Sequence, residues 1–82
     1  MTKEEMKEIH SHTLRNRKEI ESSDNCVCIS CCEIFYASEV EDYIDEGKTA
    51  LCPRCGIDAV IGGCTGISMD RETISELNKE FF

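Results

Sequence analysis

The chain has no tryptophan, one proline (Pro53) and only five aromatic residues: Phe35, Tyr36, Tyr43, Phe81 and Phe82. In 82 residues this leaves little large apolar volume. Chains near this size ordinarily need a staple, and a structural metal is a standard one. No segment approaches the roughly 18 consecutive apolar residues of a membrane span, so no membrane partner is expected. The start, Met1 to Glu5, has no apolar stretch of the kind a signal peptide needs. Bases are also scarce, with nine Lys and Arg against 17 Asp and Glu and a formal charge of −8. Such a chain is repelled by phosphates. That weighs against nucleic acid as a partner and suits a basic protein partner.

What the chain has in excess is cysteine, seven in all. An odd number argues against a fully paired secreted disulfide framework and for a reducing, cytoplasmic setting, where cysteine pairs mean metal more often than disulfide. Cys28-Ile29-Ser30-Cys31 is followed, twenty residues on, by Cys52-Pro53-Arg54-Cys55-Gly56. A two-residue spacer lets the backbone turn so that both sulfurs aim at one point, and two such turns supply a tetrahedron. Cys28, Cys31, Cys52 and Cys55 are therefore the candidate ligands of one structural Zn²⁺, the only assignment that gives two identical spacers. Four thiolates around one Zn²⁺ add about −2 to the charge.

Other assignments compete. Cys26 or Cys32 can replace a member of the first pair by a register change, and Cys64 is left over. Unused cysteines usually behave as small apolar residues; a second metal or a redox role is the minority reading. A redox Cys-x-x-Cys needs a helix start in a βαβ unit, whereas both pairs here are flanked by short strand-like runs. A catalytic zinc keeps an open position, and four matched thiolates close it. An iron–sulfur cluster also takes four cysteines, but the regular spacing favours zinc. His10 and His12, two apart on a helix, point about 200° apart and cannot chelate one ion from an intact helix. A nucleophile pair of Cys26 or Cys32 with a histidine has no support in the spacing.

Along the chain, Thr2 and Glu5 form a capping box opening a helix over 2–21, with Met6, Ile9, Thr13 and Ile20 near one stripe and Leu14 beside it. That thin stripe serves the core or a second subunit, so a homodimer is one expected arrangement. Cys26–Cys28 and Glu33–Tyr36 read as strands around the first turn. Ser38 and Glu41 form a second capping box, opening an inserted helix with Val40, Tyr43 and Ile44 on one side and Gly47 as its stop. Its acids, Glu39, Glu41, Asp42, Asp45 and Glu46, are a solvated face or a docking surface for Lys and Arg. Lys48–Leu51 and Ile57–Ile61 read as strands, and Gly62-Gly63 turns the chain. Ser68 or Asp70 caps a last helix with Ile74, Leu77 and Phe81 on one face.

The run from Asp45 to Gly62, containing Cys52-Pro53-Arg54-Cys55-Gly56, resembles a segment of a family of small bacterial cytoplasmic zinc-ribbon-like proteins of unknown function. So do His10, Asn16 to Ile20, Cys26-x-Cys28-x-x-Cys31, Ile34-Phe35 and a terminal aromatic pair. This chain departs at Cys32 and Cys64, at Tyr43 where the family has Trp, and at Phe81-Phe82 where it has Trp-Phe. The resemblance implies a zinc-stabilised cytosolic protein and no reaction.

The expectation is one zinc-stabilised domain over 1–82. It is a small α+β fold whose zinc-ribbon-like core of short antiparallel strands (26–62) carries an N-terminal helix (1–21), an inserted helix and a C-terminal helix (68–82). The expected role is a non-enzymatic, zinc-binding, protein-interaction or adaptor module. The alternatives are an acidic inhibitor of a nucleic-acid-binding protein, encoded by a phage or mobile element, and a nucleic-acid-associated zinc ribbon.

Overall fold

The computed structural model describes all residues, 1–82. The elements in chain order are α1 (Lys3–Ser11), α2 (Arg17–Glu21), β1 (Asn25–Cys28), β2 (Ile34–Tyr36), β3 (Tyr43–Ile44), β4 (Thr49–Ala50), β5 (Val60–Gly62) and α3 (Arg71–Phe81). The expected α+β class and zinc-ribbon-like core of short antiparallel strands are present. One sheet has the order β2-β1-β5, and β3 and β4 form a separate hairpin. No helix is long and apolar enough to cross a membrane.

The N-terminal helix starts as its capping box dictates: Thr2 Oγ1 accepts from Glu5 N–H at 3.1 Å, and Glu5 accepts from Thr2 N–H at 3.2 Å. It does not continue to residue 21. It stops at Ser11, Arg15 adopts φ +48°, and a second helix begins at Arg17. Tertiary bonds that an unbroken helix would forfeit account for the break. Arg15 N–H donates to Thr49 Oγ1 at 2.9 Å, and Arg17 N–H donates to Lys48 C=O at 2.9 Å. Between them lies buried Asn16, which donates to Val60 C=O at 2.6 Å and accepts from Ala50 N–H at 3.0 Å. One side chain thereby ties the start of α2 to both β4 and β5.

The inserted helix is also corrected. Residues Ala37–Glu39 make a single 3₁₀ turn, after which the chain enters the β3–β4 hairpin, pairing Tyr43 with Ala50 and Ile44 with Thr49. Gly47 sits in the hairpin tip, where Asp45, Glu46 and Gly47 all have positive φ. Arg17 fixes the hairpin from outside: its guanidinium lies 4.4 Å from the Tyr43 ring centroid and donates to Gly47 C=O at 2.9 Å.

The register Cys26↔Phe35 and Cys26↔Gly62 puts these residues on one face of the main sheet, while Ile34, Val27 and Ile61 share the other. On the first face α2 packs closely over Gly62. A Cβ there would stand 2.5 Å from Ser23 Oγ and 3.1 Å from Glu19 C=O, so only glycine admits the contact. α3 is capped by Asp70, whose carboxylate accepts from Thr73 N–H at 2.8 Å, and it buries Ile74 and Leu77. Its start is residue 71 rather than 68. Asn78 donates to Ile29 and Ser30 C=O at 3.0 and 2.8 Å, pinning α3 to the first cysteine turn. The core includes Met6, Ile20, Val27, Ile29, Phe35, Val60, Ile61, Ile74 and Leu77, with Cys26, Cys28 and Cys52 among them.

Candidate metal centre

The first cysteine turn joins β1 to β2 and the second joins β4 to β5. The two have the same hydrogen-bond pattern. Cys32 N–H donates to Cys28 C=O at 2.7 Å, and Gly56 N–H donates to Cys52 C=O at 2.9 Å. Cys28 N–H then donates to Glu33 C=O, and Cys52 N–H to Ile57 C=O, both at 3.0 Å. Each turn is closed by a residue in the left-handed region, Cys32 at φ +66° and Gly56 at φ +80°.

These turns bring the sulfurs of Cys28, Cys31, Cys52 and Cys55 within 4.8 Å of one another. Cys28 Sγ lies 3.6 Å from Cys55 Sγ, and Cys31 Sγ lies 3.8 Å from Cys52 Sγ. A tetrahedron with zinc–sulfur bonds of about 2.3 Å has edges of about 3.8 Å, whereas a disulfide is about 2.05 Å. The separations therefore match four ligands around one metal ion and not two covalent bridges. The donor set also fits: soft thiolates in a tetrahedral group select zinc or an iron–sulfur centre. When bound, the metal closes the two turns onto one point and so supplies the cross-link between β1–β2 and β4–β5.

Electrostatics is divided between the turns. Burial pushes the Cys28 thiol well up, although the Ser30 and Cys31 N–H groups oppose it. Burial also raises Cys31, against the Glu33 N–H. At Cys52 burial acts the same way, but the Cys55 and Arg54 N–H groups and the neighbouring thiols outweigh it, so Cys52 lies below the ordinary thiol value. Arg54 N–H is 3.3 Å from Cys52 Sγ. Cys28 and Cys52 are buried, Cys31 is half-buried and Cys55 is exposed, so the cluster opens to solvent at one corner.

The other sequence candidates are elsewhere. Cys26 is fully buried, its thiol pushed up to about 11 by burial and then by Cys64. Cys64 is exposed and donates to Glu19 C=O at 3.2 Å, and Cys32 is exposed. His10 stacks on Phe81 with ring centroids 4.1 Å apart, and His12 Nδ1 meets the Glu19 carboxylate at 2.9 Å. None of the five joins the cluster. Asn16 was not among the sequence candidates, although it determines where the hairpin carrying the second turn docks. Its one local signal was a cap-type residue inside a helical pattern.

No protein-family model matches this chain, and no curated protein or solved structure matches it.

Proposed function

We propose that the chain is a non-enzymatic protein-interaction module, of the cytoplasm, in which one structural Zn²⁺ holds the scaffold. The observation that carries this reading is the closed sulfur set. Four protein thiols at tetrahedral spacing leave no ligand position for a substrate, so the metal's contribution is to folding. For structural zinc that contribution is on the order of 10 kcal/mol. The interaction role is supported by the surface. Glu41, Asp42, Asp45 and Glu46 are exposed along one hairpin in a chain of charge −8, an arrangement that attracts a basic partner. The same acids favour, as a second reading, an inhibitor that occupies the basic groove of a nucleic-acid-binding protein.

The test is photo-crosslinking in cells, with the crosslinker placed in turn at Glu41 and at Glu72. A single protein adduct at either position is the expected outcome. If the adduct is a nucleic-acid-binding protein whose ligand competes with the chain, the inhibitor reading holds. Adducts to nucleic acid, or no adduct from a folded zinc-loaded chain, overturn the module reading.

A further inference from the structure

β2 is an edge strand, paired on one side only, with β1. Its backbone groups divide by alternation. Glu33 C=O accepts from Cys28 N–H and Ala37 N–H donates to Asp24 C=O, so those residues and Phe35 turn toward β1. The N–H and C=O of Ile34 and Tyr36 therefore face away from β1. Tyr36 N–H is taken by the Glu39 carboxylate at 2.9 Å, and Arg54 holds the other Glu39 oxygen at 2.8 Å. At Ile34 no side chain covers the edge in this way.

Beside that open position runs a groove of about 540 Å³ between β2 and the first half of α3, lined by Cys32, Ile34, Met69, Arg71, Ile74 and Ser75. Ile34 is 45% exposed and Tyr36 66% exposed, both on the sheet face that carries Val27. Arg71 is exposed at the groove rim and forms no ion pair, whereas Arg17 and Arg54 each have one.

The geometry points to an extended peptide segment of a partner protein as the occupant, added as a strand at Ile34, with an apolar side chain in the groove and an acidic side chain against Arg71. The free N–H and C=O of Ile34 specify extended backbone, because one residue of an added strand satisfies both. The apolar walls specify the side chain facing α3, and the unpaired guanidinium specifies one carboxylate at that point of a partner whose bases elsewhere meet the hairpin acids. A second copy of this chain is the alternative occupant, and two observations disfavour it. A three-residue edge falls well short of the roughly 1,000 Å² that a stable dimer buries. Two chains of charge −8 also repel.

This inference rests on the reading of the chain as an interaction module. It is tested on the purified zinc-loaded protein by amide and methyl NMR. The probe is a set of six-residue β-branched peptides carrying one apolar residue and, two positions away, aspartate, lysine or serine. The aspartate peptide is expected to give saturable shifts at the Ile34 amide and at the Met69 and Ile74 methyls, with slowed hydrogen exchange of the Ile34 N–H. The same peptide N-methylated at alternate bonds is expected to bind at least tenfold more weakly. Arg71→Glu, on an exposed side chain, should reverse the order of the aspartate and lysine peptides. Shifts elsewhere, no saturation, an unchanged order in Arg71→Glu, or dimerisation through Ile34 would each overturn it. Failure here alongside a protein adduct at Glu41 removes the groove and leaves the module; failure of both removes the module as well.

Discussion

Cys32 and Gly56 occupy the same place in two matching turns. Each follows the second cysteine of its pair, donates its N–H to the carbonyl of the first, and has positive φ, +66° and +80°. Glycine adopts that conformation freely, whereas a residue with a Cβ is strained by roughly 1–2 kcal/mol. Cys32 carries this strain without ligating the cluster. Cys32→Gly is therefore expected to raise the unfolding free energy of the zinc form, by roughly 1 kcal/mol after the added freedom of the unfolded chain is subtracted. Gly56→Ala should do the reverse by a similar amount. No atom lies within 4 Å of a Cβ there, so backbone strain alone sets the loss. Chemical denaturation of both variants checks the pair, and a destabilised Cys32→Gly would show that the thiol contributes more than its backbone costs.

The metal assignment separates the exposed cysteines. Cys55 and Cys64 are both exposed, but only Cys55 belongs to the sulfur cluster. Native mass spectrometry should find one zinc in the parent chain and in Cys64→Ser. In Cys55→Ser the zinc should be lost or greatly weakened, and cooperative thermal unfolding should go with it, because the binding free energy of a structural zinc is largely folding free energy. A strong chelator should act like Cys55→Ser. Full cooperativity after complete zinc removal would contradict the scaffold role.

Asn16 gives a third prediction. Asn16→Ala leaves Ala50 N–H and Val60 C=O without their partner in a buried place, a loss of roughly 2–3 kcal/mol. Asn16→Asp keeps the acceptor for Ala50 but loses the donor to Val60, and adds a charge where no base is bonded. It should be no better than Ala. Denaturant titration of the zinc-loaded variants measures both, and a loss below about 0.5 kcal/mol in Asn16→Ala, the range of an ordinary surface substitution, would mean that water replaces the amide.

The same residue explains which parts of the fold were legible in the sequence. The cysteine turns were, because Cys28 with Cys31 and Cys52 with Cys55 are local arrangements, each closed within five residues by its own backbone bonds. The Thr2–Glu5 cap and the amphipathic face of α3 were legible for the same reason. The break between α1 and α2 was not, because it is enforced by bonds from Asn16 to residues 34 and 44 positions away. Lys48–Leu51 reads as a strand, and β4 lies within it, but the segment from Ser38 to Glu46 that contains β3 reads as a helix because Ser38, Val40, Tyr43 and Ile44 satisfy a helical pattern. Arg17 over Tyr43 and the pairing with Thr49–Ala50 override it, as tertiary context commonly overrides propensity. The groove beside β2 left no sequence signal, since Ile34, Met69 and Arg71 become neighbours only when α3 is laid on the sheet.

Acidity should act in opposite directions on the metal-free and zinc-bound chains. Without metal, burial raises the thiols of Cys26, to about 11, and of Cys28 and Cys31 above the ordinary value of 9.0. A group whose folded value is raised lends stability in full below its unfolded value and loses it as pH rises through the folded one. Any residual metal-free structure should therefore weaken above about pH 9, as thiols that ionise freely in the unfolded chain resist ionisation in the fold. With zinc the ligands are thiolates, so each thiol that starts protonated releases a proton on binding. Zinc-dependent stability must then fall as pH falls, while the buried, non-ligand Cys26 still imposes a loss between about 9 and 11. The zinc form should accordingly be most resistant to thermal unfolding near neutral to mildly alkaline pH. Its acid limb should disappear in chelator, whereas its alkaline limb should persist in the zinc form and shift in Cys26→Ala. An acid limb unchanged by chelator would assign it to carboxylates such as Asp70, which its bonds to Thr73 hold below the usual value and whose contribution is lost as pH falls. That result would remove the thiolate cluster from the account of stability.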